Sequence, residues 1–294
     1  MNGTASWRAR LFVALQYLIP QLLLSRLVGA IARARAAWIR RPLINAFVRA
    51  YRPELGEAAQ PDPQDYDSFN AFFTRALRSG ARPMAGTGTT IVSPVDGRIS
   101  ALGMTEQGRL IQAKGRDYSL LSLLGGNVDL ATRLKGGPFM TVYLAPHNYH
   151  RIHMALGGRL AGAWYVPGRL FSVNDSTAQC VPNLFARNER VILEFTGEHG
   201  THVLVMVGAL FVGSMATVWH GQIARRRARG PVALPLPAGA DALLERGAEL
   251  GRFNMGSTII LLLPERAGTW NAGLAAAADL RVGQAIGTLS PGPV

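Results

Sequence analysis

The chain has 294 residues, enough for one large domain or two modest ones. Lys and Arg number 31 against 18 Asp and Glu, a net charge of +13, while 48% of residues are hydrophobic. That balance excludes a disordered, collagen-like or low-complexity chain. The single cysteine, Cys180, excludes an internal disulfide framework and a cysteine-based zinc site.

Residues 1–53 hold nine arginines and no Asp or Glu. From about Leu22 onward, apolar residues recur at 3–4 spacing with arginine between them. This predicts basic amphipathic helices, broken at Pro20 and Pro42. The longest uncharged stretch, 11–25, is 15 residues and contains Gln16, Pro20 and Gln21. A span needs roughly 20 mostly apolar residues, so the leader is expected to lie on an anionic membrane surface. A secretory signal, an arm packed on the body and a nucleic-acid arm are the alternatives. The first lacks a clean small-residue cleavage site and the last any recognised motif.

Residues 54–65 are acidic, Pro-containing and aperiodic, and read as a linker. The segment 68–77 reads as a helix with Ser68 as its N-cap. Beyond Pro83 come short β-rich runs at 89–92, 98–102, 139–144, 191–195, 203–207, 211–218 and 258–263. The expected fold is mainly β (α+β). A β-sandwich or barrel-like catalytic body over 54–294 follows an N-terminal basic amphipathic helical region over 1–53. A second basic run, Arg225, Arg226, Arg227 and Arg229, reads as a solvated loop, with a second lipid contact as the alternative.

Three of the six histidines, His147, His150 and His153, fall within seven residues. They are metal ligands or, alternatively, groups that cap turns and pair in the core; no carboxylate stands at a familiar ligand spacing. Asp96 in SPVDGR suits a turn, and Ser257 follows Gly256 before an apolar run. An aspartate, a histidine and a serine can together activate the serine, but spacing does not bring them together. A plain serine hydrolase is one reading of that trio, although the G-x-S-x-G elbow is missing around Ser257.

The motifs taken together are more specific. FNAFFTRALRSGARP (69–83), SPVDGRIS (93–100), YLAPHNYHRIHM (143–154), GRLFSVN (168–174), VGALFVGSM (207–215) and GRFNMGSTIILLLP (251–264) follow in order. In these the chain resembles the phosphatidylserine decarboxylase family, in its longer, membrane-associated bacterial form. The family's Leu-Gly-Ser-Thr cleavage motif stands here as Met255-Gly256-Ser257-Thr258, with Met conserving size and apolarity.

The resemblance implies a precursor that cuts itself between Gly256 and Ser257 into a β chain (1–256) and an α chain (257–294). Gly256 is expected to take a strained bend that exposes its carbonyl. His153 is implied as the base for Ser257, Asp96 as the group orienting His153, and His150 as the acid that protonates the substrate carbon. The implied cofactor is a pyruvoyl group made from Ser257, with no metal. The implied substrate is phosphatidylserine, with phosphatidylethanolamine and CO2 as products. Phe171 and Asn174 are candidate headgroup contacts. A homodimer, peripheral on the cytoplasmic side of the cell (inner) membrane, is implied as well, and no nucleic-acid partner is expected.

Overall fold

A computed structural model describes residues 6–113, 116–198, 200–210, 214–226 and 228–290. Part of the 211–218 run and Arg227 therefore lie outside the described residues.

Three helices open the chain: α1 (Trp7–Leu18), α2 (Gln21–Ala32) and α3 (Ala37–Tyr51). The first break falls at Pro20 as expected, but the second falls at residues 33–36 and not at Pro42, which α3 runs through. Pro42 and Trp38, whose carbonyl loses its partner, are both exposed, so water can take that carbonyl. The next helix, α4 (Phe69–Phe73), is shorter than expected. Ser68 caps it, its Oγ accepting the Ala71 N–H at 3.1 Å. The chain then pairs back, Leu77 against Ala58. The supposed linker is thus packed: Ala58 is buried, and Glu57 pairs with Arg82 and Arg281.

The body is antiparallel sheet. The central sheet runs in the order β12 (Val232–Ala233), β7 (Gly158–Val166), β8 (Arg190–Gly197), β9 (Gly200–Val207), β15 (Ser257–Leu262), β5 (Pro138–Leu144), β2 (Gly97–Met104) and β17 (Asp279–Leu280). Strand β13 (Leu243–Leu244) also pairs with β7. A smaller sheet has the order β11 (Gly221–Gln222), β10 (Met215–Thr217), β14 (Glu249–Phe253) and β6 (Arg151–His153). A third joins β1 (Thr90–Val92), β18 (Ala285–Leu289) and β16 (Gly268–Trp270). The hairpin β3 (Arg109–Ala113) and β4 (Arg116–Ser119) stands apart. The central sheet has two ends and does not close among the described residues, so the fold is layered and not a barrel.

Side-chain alternation divides the core. Ile259 and Leu261 of β15, with Met140 and Val142 of β5, share one core with Ile152 and Phe253 of the smaller sheet. The opposite face of the central sheet, with Ile260 and Leu262, is covered by α5 (Leu120–Leu123), α6 (Val128–Leu134), α7 (Asp175–Cys180) and α8 (Leu184–Arg187). The leader packs on this body. Val13 enters that second core, and Ala32 and Ile44 join Tyr66, Phe69, Phe72 and Phe73 in a third. The glutamines that interrupt the leader's apolar run are its pins. Gln16 Oε1 accepts the Ser172 N–H at 2.7 Å and Gln21 Oε1 the Leu170 N–H at 2.9 Å, both buried.

Candidate active site

Ser257 opens β15, paired with Leu144 of β5. Alternation turns its side chain to the face of Ile259 and Leu261, into the core shared with the smaller sheet. The residue is fully buried, and its Oγ has no hydrogen-bond partner among the described residues. An unmatched buried hydroxyl costs about 1–3 kcal/mol, so it calls for a reason other than stability.

The bend before Ser257 falls on Met255, with φ 109°, and not on Gly256. Such a backbone costs a non-glycine residue on the order of 1–3 kcal/mol. The Met255 side chain offsets part of this by packing against the aromatic cluster of α4. A Cβ on Gly256 would meet nothing within 4 Å, so that side of Gly256 faces open space. Gly256 and Met255 line a largely apolar cavity of about 510 Å³. Its walls are Ile31 of α2, Phe47 of α3, Phe73 of α4, Tyr143 of β5 and Val173.

His150 lies under Phe73, ring centroids 4.1 Å apart, and is fully buried. Its carbonyl accepts the Phe253 N–H at 3.1 Å, which ties it to the strand leading into the Gly256–Ser257 bond. Nδ1 lies 2.9 Å from the Asn148 carbonyl. A carbonyl only accepts, so Nδ1 carries the proton and Nε2 the lone pair. That Nε2 is buried with no partner among the described residues. Burial pushes the imidazole pKa down to about 3, so the ring is neutral at ordinary pH.

His153 stands on β6, opposite Glu249. Its Nδ1–H donates to the Gly247 carbonyl at 2.8 Å, and the Tyr149 hydroxyl, 3.0 Å away, donates to its Nε2. Burial lowers its pKa as well. Asp96 is buried in the turn between β1 and β2, but it does not touch His153. Arg82 grips the carboxylate at two points, Nε to Oδ1 at 3.0 Å and Nη2 to Oδ2 at 2.6 Å, and the Val282 N–H donates to Oδ1 at 2.8 Å. No hydrogen bond joins Asp96, implied as the group orienting His153, to that residue. A two-point guanidinium is the stronger partner for a buried carboxylate, and the Gly247 carbonyl already orients the imidazole. The link between the two residues runs through backbone instead, since the His153 N–H donates to the Pro94 carbonyl at 2.8 Å. Gly97 allows the turn to sit this close, because a Cβ there would stand 2.6 Å from the Tyr143 carbonyl.

Asp96 also lines a polar cavity of about 640 Å³ with Arg75, Arg82, His147 and Tyr143, the last shared with the apolar cavity. Arg75 is buried there with Nε and Nη1 unmatched among the described residues. Its Nη2 donates to the His147 carbonyl at 3.2 Å, and burial lowers its pKa. The three histidines thus occupy different surroundings. Among the described residues no group of three His, Cys, Asp or Glu is placed to hold a metal ion.

The two headgroup candidates do not line the apolar cavity. Phe171 is buried against Tyr17, ring centroids 4.7 Å apart, and Asn174 caps α7 by accepting the Thr177 N–H at 3.0 Å. Their neighbours Ser172 and Val173 face the apolar cavity. Sequence reasoning missed Arg75, Arg82 and Tyr149. The arginines lie inside the FFTRALRSGARP run, where ordinary helix and turn patterning conceals them, and Tyr149 stands between two histidines that drew the attention.

A family model described as phosphatidylserine decarboxylase matches residues 69–288, and a second, described as PSD, matches 11–52. The chain is 50% identical over 282 residues to the phosphatidylserine decarboxylase proenzyme of Pseudomonas aeruginosa strain LESB58, covering 96% of this chain and 98% of that one. It is 47% identical over 288 residues to the proenzyme of that name from Azotobacter vinelandii, covering 96% and 99%. The chain belongs to the phosphatidylserine decarboxylase family.

Proposed function

We propose that this chain is a proenzyme that cuts itself between Gly256 and Ser257 and then converts phosphatidylserine to phosphatidylethanolamine and CO2. The observation that carries the reading is Ser257: a buried, unpartnered hydroxyl two residues after a strained backbone, joined to a glycine that lines an apolar cavity. Its Oγ attacks the Gly256 carbonyl; the C–O bond forms, the C–N bond breaks and the amine of residue 257 is freed. A neutral hydroxyl needs a base for this. On the family pattern that base is His153, whose Nε2 lone pair becomes available when the Tyr149 hydroxyl turns away. Elimination then breaks the Cβ–O bond, freeing the Gly256 carboxylate and leaving dehydroalanine at position 257, and addition of one water with release of ammonia converts that to a pyruvoyl group.

The position suits such a group, because the apolar walls exclude water and no side chain competes for the Ser257 atoms. When formed, the group supplies an electron sink for the carbanion left as CO2 departs. His150 is the proton carrier for the substrate carbon. Burial keeps it neutral, and an anionic headgroup brought near it favours its protonated form. Arg75, a buried cation with unmatched N–H groups, favours an anion in the adjoining polar cavity.

The leader supports a bilayer-surface setting. Trp7, Leu18 and Trp38 are 70%, 80% and 79% exposed, and Leu11, Leu15, Leu22, Leu23 and Leu27 are exposed alongside them. Among the described residues no single helix is long and apolar enough to cross a membrane; α1 and α2 pass that test only together, bent by 90°. An apolar face ringed by arginine fits peripheral binding, each basic residue near an anionic leaflet contributing about 1 kcal/mol. Intact mass tests the central claim. The purified protein should be two chains, and Ser257→Ala should remain one chain with no decarboxylase activity. A fully active, uncut Ser257→Ala protein overturns the reading.

A further inference from the structure

A second cavity, of about 550 Å³, lies on the other side of α2. The start of α2 forms one wall, through Pro20, Leu22, Leu23 and Arg26. Tyr165, Arg169 and Glu189 form the floor, and the second basic run, Arg225 and Arg226, forms the far wall. Arg225 is not a solvated loop residue. Its Nε lies 2.7 Å and its Nη2 3.1 Å from the carboxylate of Glu189, itself only 3% exposed in its side chain, and the Tyr165 hydroxyl donates to the same group at 3.0 Å.

Glu189 is thereby fully occupied. Arg26, Arg169 and Arg226 border the cavity with no carboxylate partner among the described residues. The walls are tied together, since Gln21 Oε1 accepts the Leu170 N–H at 2.9 Å and the Arg169 N–H donates to the Arg187 carbonyl at 2.8 Å. Helix α2 has twelve residues and no side-chain cap, so its positive end adds to the same field. Exposed Leu22 and Leu23 stand at the rim.

We infer that this cavity binds the phosphodiester headgroup of an anionic phospholipid that is not the substrate, with its acyl chains along Leu22 and Leu23. Three arginines bordering one cavity offer a phosphodiester both opposite charge and several N–H donors. The rim leucines place that phosphate at a bilayer surface and not in free solution. Because Val28, Ile31 and Ala32 on the opposite side of α2 line the cavity at Gly256, a lipid held here would fix one wall of the substrate cavity. The inference rests on the bilayer-surface reading above.

The test uses the full-length Ser257→Ala chain, so that turnover plays no part. Its partition is measured onto phosphatidylcholine vesicles with and without phosphatidylglycerol. Arg26, Arg169 and Arg226 are changed together to Gln, and a charge-matched control changes exposed Arg10, Arg35 and Arg41. Loss of three general surface charges weakens binding on the order of 100-fold in either set. A shared phosphate site predicts roughly tenfold more loss for the cavity set than for the control. Equal losses mean diffuse charge and overturn the inference while leaving the surface reading intact. A parent that fails to prefer phosphatidylglycerol vesicles overturns both. A titration with inorganic phosphate at matched ionic strength is the second arm, and binding as tight as to vesicles overturns the lipid as occupant.

Discussion

Arg82 offers a measurable test of how Asp96 acts. Its guanidinium makes two contacts to Asp96, at 3.0 and 2.6 Å, and one to Glu57 at 2.7 Å. Both side chains of the Arg82–Asp96 pair are about a tenth exposed, so water screens the pair little. Arg82→Gln leaves the Asp96 carboxylate buried with the Val282 N–H as its remaining donor. Breaking a buried pair on one side costs about 3–5 kcal/mol. At roughly 2–4 °C per kcal/mol for a large domain, the melting temperature should fall by roughly 6–20 °C. Thermal unfolding is to be measured in the Ser257→Ala background, where every variant stays uncut. In the parental background, a denaturing gel then reads self-cleavage. If Asp96 acts by bracing the turn whose Pro94 carbonyl holds His153, Arg82→Gln slows cleavage nearly as much as Asp96→Asn. Cleavage at the parental rate in Arg82→Gln, with none in Asp96→Asn, would refute the bracing argument and place Asp96 directly on His153.

His153→Ala should stay largely uncut and inactive, whereas His150→Ala should cut itself yet form phosphatidylethanolamine about 10²–10⁴-fold more slowly; the reverse pattern on a gel means the roles are exchanged. Acid should destabilise the fold through its buried imidazoles. His150 and His202 are held down to about 3 and about 4 by burial, against about 6.5 in the unfolded chain. The unfolded state therefore binds protons first. Stability is complete above about pH 6.5 and falls as pH drops from there toward 3, and urea midpoints that stay flat across that window contradict the assignment. Gln16→Ala and Gln21→Ala should each cost about 1–3 kcal/mol, because each leaves a backbone N–H of the 170–172 segment unmatched; denaturant titration of the uncut chain checks this.

The motifs singled out Ser257, His150, His153 and Asp96 without bringing them together, and strands β1, β2, β5, β8, β9, β10 and β15 were legible because β-branched and aromatic residues mark them, whereas the remaining strands of the smaller sheets were not. The longest strand, β7, was missed. Its sequence GRLAGAWYV carries small residues where a strand signal is sought, and the Trp164 ring fills the space beside Gly162, where a Cβ would stand 2.2 Å from it. Pro42 was misread as a break, since an exposed proline can remain in a helix when solvent takes the orphaned carbonyl. What the sequence could not convey was partnership. Asp96 stands in a turn motif and Arg82 in the 69–83 motif, fourteen residues apart, and only the folded chain pairs them. Likewise, Gln16 and Gln21 looked like interruptions of an apolar stretch, whereas their amides satisfy backbone that would otherwise be buried unmatched.

The same glutamines explain why the leader and the catalytic body act together. An amphipathic helix that only touched lipid would need no buried polar pin to the body. Here α1 and α2 are fastened to the segment that contributes Ser172 and Val173 to the cavity at Gly256. More than a third of that cavity's wall is leader: Val28, Ile31 and Ala32 from α2, Leu43, Phe47 and Tyr51 from α3. The outer faces of these helices expose leucine and tryptophan. On the proposed reading, a substrate whose acyl chains stay in the bilayer reaches position 257 along helices that have one side in lipid and the other in the site. Binding the surface and forming the substrate cavity are then one structural event. A leader cut away from the body would remove the cavity's wall along with the anchor.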